Sequence, residues 1–262
     1  MARKILAINS SHRGDSGYSR FLIDKLFKGA TAAGAECEVV TLAQLNINRC
    51  LACDKCHTEG QRLQCVYDEK DDVRMVFNKM AKADIILFAV PVYVFSMPGL
   101  LKTFLDRLNA TGDTSQPTLS KSGLIFHHIN RDICAKPFAV LVCCNNVEEE
   151  TIKNILAYFR TYARFHDAPQ VGTLVRNAGR FSGCGRDLGK EKQVPKILAV
   201  YDAYEQAGRE LAIRGRIQRA TQCKANQEIV PIPMFGLLKR FKLFKKKYIG
   251  KASRLQGDRR GQ

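Results

Sequence analysis

At 262 residues, 45% of them hydrophobic, the chain is long enough for one generous domain or two small ones with a sizeable core. Its net charge of +17 is uneven: from Arg214 onward there are 14 Lys and Arg against 2 acidic residues, a local +12 that leaves +5 for the rest, so an anionic partner belongs at the tail, and without a recognition motif nucleic acid is not expected there. Residues 1–9 do not read as a signal peptide, because a polar loop follows only a short apolar run, and no apolar run nears the roughly 18 residues that cross a bilayer; a cytoplasmic protein is expected.

In chain order, residues 4–8 form a short apolar run that predicts a buried strand. It leads into Asn9-Ser10-Ser11-His12-Arg13-Gly14-Asp15-Ser16-Gly17-Tyr18-Ser19. A loop between a strand and a helix N-terminus presents backbone N–H groups to an anion. Ser11, Ser16 and Ser19 add hydroxyls and Arg13 a positive charge. The glycine spacing of a dinucleotide loop is absent, so one phosphate monoester suits this loop better than a pyrophosphate. An ordinary polar β–α turn is the plain alternative. Residues 18–33 repeat apolar side chains at Phe21, Leu22, Leu26 and Phe27, a helical spacing. A second strand follows at 36–41.

Residues 46–71 form an insert carrying Cys50-x2-Cys53-x2-Cys56-x8-Cys65 and ending in Asp71-Asp72. Three closely spaced cysteines with a later fourth can supply the four thiolates of a [4Fe–4S] cubane. Zinc and a set of unliganded thiols are the alternatives. Cys37, Cys134, Cys143, Cys144, Cys184 and Cys223 are scattered and read as small apolar residues. In a cytosolic chain of this size the clustered cysteines indicate metal or redox use and not a disulfide framework.

A helix is predicted over 72–83, with Val73, Val76, Phe77 and Met80 on one face. Residues 84–90 are the most apolar run in the chain, a strand buried on both faces. Next comes Pro91-Val92-Tyr93-Val94-Phe95-Ser96-Met97-Pro98, then a helix over 99–109 with Leu100, Leu101, Phe104, Leu105 and Leu108 inward. In open α/β sheets ligands bind beyond the carboxyl ends of the strands. A loop there with Tyr93 and Phe95 can offer aromatic faces to a planar ring. The insert at 111–135 holds His127 and His128, which read as polar loop residues and are assigned no catalytic role. A strand at 138–144, a helix at 148–164, a strand at 167–175, an insert at 176–194 and a helix at 195–214 complete the pattern. Strands alternating with helices predict a five-stranded parallel sheet, doubly wound, in one domain over 1–215, followed by a basic extension over 216–262.

The run Pro-Val-Tyr-x-x-Ser-Met-Pro-Gly-x-Leu-Lys-x-Phe-x-Asp-Arg resembles the signature of the NADPH-dependent FMN reductase family, which includes the iron–sulfur flavoproteins. Ser10-Ser11-His12-Arg13 looks like a divergent copy of that family's first loop. The resemblance implies a flavodoxin-like α/β fold and an FMN-binding oxidoreductase. It places the FMN phosphate on Ser11, Arg13, Ser16 and Ser19, and the isoalloxazine against Pro91, Val92, Tyr93, Val94, Phe95, Ser96 and Met97. It also suggests a [4Fe–4S] cluster on Cys50, Cys53, Cys56 and Cys65. The family's third flavin loop is usually glycine-rich; here it is Cys143-Cys144-Asn145-Asn146, where side chains replace hydrogens beside the ring.

By the same resemblance the electron donor is NAD(P)H or another reductant, and the acceptor is a flavin, quinone, nitro compound or protein. The alternative is an electron carrier between ferredoxin and a redox partner. A homo-oligomer is expected. In the tail, Phe235, Leu238, Phe241, Phe244 and Tyr248 recur at near-helical spacing among Lys239, Arg240, Lys242, Lys245, Lys246, Lys247 and Lys251. Such a face suits a neighbouring subunit, an acidic redox partner or, less favoured, peripheral contact with an anionic bilayer.

Overall fold

The computed structural model describes residues 2–246 and 248, apart from 195, 231 and 233. In chain order the elements are β1 (Lys4–Asn9), α1 (Tyr18–Ala32), β2 (Glu36–Thr41), α2 (Val73–Lys82), β3 (Ile85–Pro91), α3 (Gly99–Asp106), β4 (Gly112–Leu119), β5 (Ile125–Ile129), α4 (Arg131–Cys134), β6 (Phe138–Cys143), α5 (Lys153–His166), β7 (Gln170–Arg176), α6 (Leu188–Lys192), α7 (Ile197–Arg214), α8 (Arg219–Ala225) and α9 (Phe235–Leu238). Five strands pair in parallel in the order β2-β1-β3-β6-β7, the order of flavodoxin-like folds.

The apolar runs explain why both faces are covered. Along β1, Ile5 and Ala7 join a cluster with Leu22, Leu26 and Tyr204 of α1 and α7. The alternate residues Leu6 and Ile8 join Phe77, Phe104 and Phe159 of α2, α3 and α5 on the other side, as the two-residue period of a strand dictates. All seven residues of β3 are buried. The order reverses between β1 and β3, which leaves a crevice beyond their carboxyl ends.

Three stretches differ from the sequence expectation. The 111–135 insert folds as an antiparallel hairpin, β4 with β5. The last strand begins at Gln170 instead of 167, because Asp167 takes a left-handed conformation (φ 53°) that ends α5. Beyond residue 215, where an extension was expected to begin, Ile217, Ala225, Ile229 and Val230 are buried in the first core cluster.

That added segment also covers the sheet edge. Gln222 Oε1 accepts from the Thr173 N–H (2.8 Å), Asn226 Oδ1 accepts from the Val175 N–H (2.7 Å), and Asn226 Nδ2 donates to the Thr173 carbonyl (3.0 Å). One turn of α8 thereby stands in for a sixth strand and satisfies the open ladder of β7. Asn226→Ala, which strips two of these bonds, is expected to cost about 1–3 kcal/mol and to promote aggregation. Denaturant unfolding with light scattering checks this; wild-type values in both would refute it.

Candidate flavin and cysteine site

The two loops singled out in the sequence meet at the crevice. Ser10 donates from its N–H (3.1 Å) and its hydroxyl (2.8 Å) to the carbonyl of Ala89 in β3. The His12 and Tyr93 ring centroids are 5.0 Å apart. The first loop turns through Gly14 (φ 56°), and no side chain caps α1, so its first-turn N–H groups are available to an anion. A Cβ on Gly17 would stand 2.5 Å from the Ser11 hydroxyl, so a larger residue where the loop enters the helix must displace that side chain.

The four residues assigned to phosphate all lie in this stretch. Ser11 and Ser19 are buried. Ser11 Oγ accepts from the Arg13 N–H (3.2 Å), which leaves its own proton free, and Ser16 Oγ donates to the Arg13 carbonyl (2.8 Å). Burial pushes the Cys143 thiol up to about 12, against the hydrogen bond it receives from the Ser19 hydroxyl. Arg13 belongs to a wider positive group. Burial raises the pKa of Cys184 against the pull of Arg13, Arg186, Lys190 and Arg180. An uncapped helix start, the buried Ser11 and Ser19 and this positive surrounding fit a phosphate group.

The second loop is strained. Tyr93 and Ser96 exchange both backbone hydrogen bonds (3.0 and 3.1 Å) around Val94 (φ 45°) and Phe95 (φ 65°). Two successive left-handed residues make a type I′ turn, which strongly prefers Asn or Gly. Here a β-branched and an aromatic residue occupy it and are 89% and 60% exposed. Of nine non-glycine residues with positive φ among those described, seven lie in site loops: Ala52, Asp54 and Leu63 in the cysteine insert, Val94 and Phe95 here, Ala178 and Cys184 after β7. Such strain gathers where the surrounding structure is organised for function. Pro91 and Val92 tie this loop to β6, the Val92 N–H donating to the Cys143 carbonyl (2.8 Å). Asn154 Nδ2 donates to the Phe95 carbonyl (3.2 Å). Met97 packs against the second core cluster.

In the third loop, the Cys144 N–H donates to the Arg176 carbonyl (2.8 Å) and its carbonyl accepts from the Gly179 N–H (3.0 Å). A Cβ on Gly179 would meet the Tyr18 ring and Asn145 Oδ1 at 3.1–3.2 Å. Tyr18, absent from the sequence candidates, sits there with its hydroxyl 2.9 Å from that of Ser182. Burial raises its pKa well above the usual tyrosine value.

The cysteine insert is closed at its base by the acidic pair at its end. The Asn46 N–H donates to Asp72 Oδ2 (2.8 Å), and the Asn48 N–H to Asp71 Oδ2 (3.0 Å). Arg62 pairs with Asp113 of the hairpin; hydrogen bonds from Ser115 and then from Arg62 hold that carboxyl at about 2. Cys50, Cys53, Cys56 and Cys65 line one small cavity with Tyr67 and Arg107. Among the described residues, no three His, Cys, Asp or Glu side chains gather on a single point as one metal ion needs. A cubane takes one thiolate per iron and so needs thiols spread around a cavity; a buried cation with unpartnered N–H groups at the wall fits such an anionic centre. Arg107 is that cation: it is 1% exposed, and its Nε and Nη2 have no hydrogen-bond partner. A charged residue on the inward face of α3's continuation was the sequence signal for it. His127 and His128 both lie in β5, and the His127 Nδ1 is 2.9 Å from the His128 carbonyl.

Sheet order and the crevice at its switch point define a flavodoxin-like α/β fold. Residues 3–131 match the family model for NADPH-dependent FMN reductase. The chain is 32% identical over 104 residues to an iron-sulfur flavoprotein of Archaeoglobus fulgidus (40% of this chain, 48% of the relative) and to one of Methanosarcina thermophila (40% and 51%). The chain thus matches about half the length of these curated relatives. Among solved structures it resembles an FMN-dependent NADH-azoreductase of Bacillus anthracis in complex with FMN (TM-score 0.55, 14% identity, 80% of this chain and 99% of that one). It likewise resembles an NAD(P)H:quinone oxidoreductase of Methanothermobacter marburgensis (0.55, 18%, 80% and 98%). At these identities the structures establish the fold. No helix among the described residues is long and apolar enough to cross a membrane.

The tail turns back on the body. Ile232 and Phe235 pack against the first core cluster. Lys239 Nζ donates to the Val147 carbonyl and pairs with Glu149 and Glu228, each at 3.2 Å, and Lys245 pairs with Glu148 at 2.7 Å. Phe241 and Leu243 stay exposed. Lys247 and Lys251 lie outside the described residues.

Proposed function

We propose that the protein is an FMN-dependent oxidoreductase that takes electrons from NAD(P)H or another reduced donor and passes them to a flavin, quinone, nitro compound or protein. The observation that carries this reading is the meeting of the two loops at the switch point: a loop with phosphate-compatible donors on one side and a strained aromatic turn on the other. FMN supplies the two-electron chemistry when bound. The chain's own residues would do the rest. Arg13, Ser11 and the α1 N-terminus would hold the phosphate, and the Tyr93–Ser96 turn would present its backbone and aromatic faces to the ring. No residue need act as general acid or base.

The test is the double variant Ser11→Ala with Arg13→Ala. Loss of charge-assisted hydrogen bonds is expected to weaken FMN retention by about tenfold or more, measured by flavin fluorescence on dilution. Native FAD in place of FMN, or unaltered affinity, would sink the assignment.

A second reading is favoured by the four cysteines around one cavity. With a [4Fe–4S] cluster there, the protein would carry single electrons between a ferredoxin-like donor and a redox partner. The insert follows the carboxyl end of β2 and the two loops follow those of β1 and β3 in one parallel sheet, so flavin and cluster would share one end of the fold. Steady NAD(P)H oxidation by the purified protein supports the reductase; turnover only with reduced ferredoxin supports the carrier. The exposed tail lysines Lys242 and Lys246 suit docking of an acidic protein partner.

A further inference from the structure

We propose that Arg107 is a positioning residue for the cysteine site: its guanidinium, buried at the wall of the four-thiol cavity, directs N–H groups at an anionic iron–sulfur centre and raises its reduction potential. The inference rests on the reading that Cys50, Cys53, Cys56 and Cys65 carry [4Fe–4S].

The argument begins with hydrogen-bond accounting. A guanidinium has five N–H donors and stays charged in proteins. One side of Arg107 is taken: Nη1 pairs with the fully buried Asp71 and donates to the Asn48 carbonyl at 3.0 Å. Nη2 forms an ion pair with Asp68 at 3.8 Å, too far for a hydrogen bond, and neither Nη2 nor Nε has a hydrogen-bond partner. Native structures rarely leave buried charged donors unanswered. Yet this residue is anchored deliberately, with the Tyr67 ring centroid 5.3 Å from the guanidinium carbon. The spare donors belong to the residue that shares the cavity with all four thiols.

Four thiolates around a cubane make an anionic centre, and one-electron reduction adds a further negative charge. A fixed cation and N–H groups directed at sulfur favour the reduced form, so they raise the potential. They also hold the ligands in place, as outer-sphere partners of metal ligands do. Lysine keeps the charge and can keep the Asp71 pair, but it lacks the planar fork.

The experiment compares wild type, Arg107→Lys and Arg107→Met after anaerobic reconstitution with iron and sulfide. Arg107→Lys is expected to keep the wild-type unfolding midpoint and FMN content, to lose iron to a ferrous chelator about tenfold faster, and to show a more negative midpoint potential by EPR-monitored titration. Arg107→Met is expected to move both readouts further in the same direction. Should Arg107→Met fail to fold, Arg107→Lys decides alone. Wild-type potential and iron retention in the folded variants would overturn the proposal and leave Arg107 a clamp for the insert. A wild-type protein that binds FMN but takes up no iron and sulfide would overturn it differently, by removing the cluster while leaving the flavin reading intact.

Discussion

Alanine at position 208 is expected to destabilise the protein by about 3 kcal/mol, the upper end of the cost of overpacking, and so to lower its melting temperature by roughly 6–12 °C. The added Cβ would stand 1.8 Å from the carbonyl oxygen of Leu26 and 2.8 Å from the amide nitrogen of Ala30. Both are backbone atoms of α1, so no rotamer relieves the collision. The crossing is reciprocal: a Cβ on Gly29 would stand 1.8 Å from the Glu205 carbonyl oxygen. Helix propensity favours alanine by about 1 kcal/mol, but α1 and α7 must separate to accept it, opening the layer that holds Leu22, Leu26, Tyr204, Ala207 and Leu211. Because α1 also carries the first loop at its N-terminus, flavin retention should fall together with stability. Thermal unfolding followed by circular dichroism measures the shift. The control is Gly60→Ala, where a Cβ meets nothing within 4 Å. A Gly208→Ala protein that melts with wild type would show that the helices do not cross this closely.

The parallel sheet was legible because each inner strand is an apolar run with turn residues at its end, and each covering helix shows its inward stripe. The second loop was legible because Pro91, Pro98 and Gly99 punctuate it between the most apolar strand and an amphipathic helix. The hairpin was not. β4 reads Gly-Asp-Thr-Ser-Gln-Pro-Thr-Leu and is exposed over its last six residues, so neither alternation nor β-propensity announces it. The loop after β7 was missed as a wall of the crevice for another reason. Its contact with Tyr18 spans 164 residues of sequence, and no local pattern encodes it. Arg107 stood inside the quoted signature, yet its role becomes visible only when the cysteine insert folds against α3. For the tail, the aromatic spacing suggested an external surface to bind. The body of the same chain supplies part of one, through the cores beneath Phe235 and the glutamates that meet Lys239 and Lys245.

Under the proposed [4Fe–4S] reading, serine in place of any one of Cys50, Cys53, Cys56 or Cys65 is expected to lower the iron and sulfide content of anaerobically prepared protein or shift the cluster's potential, while leaving its flavin bound. Each iron of a cubane takes one thiolate, so each loss opens a coordination site that a hydroxyl fills poorly. The four do not start alike. Cys56 is buried, Cys50 and Cys65 are half-buried and Cys53 is exposed. Burial raises the Cys56 thiol pKa, and the other three cysteines add to the rise. A thiol held back from ionising in this way needs a cation to become a thiolate, and iron would supply that charge. The insert's base is held independently by Asp71, Asp72 and Arg107, so the fold should survive each substitution. Cys184→Ser and Cys223→Ser serve as controls: Cys184 sits after β7 with its thiol donating to the Gly179 carbonyl at 3.0 Å, and Cys223 is exposed on α8. Iron, sulfide and flavin assays on the six variants give the answer. Iron content that survives loss of Cys65 but not loss of Cys184 would move the fourth ligand from the insert to the loop after β7.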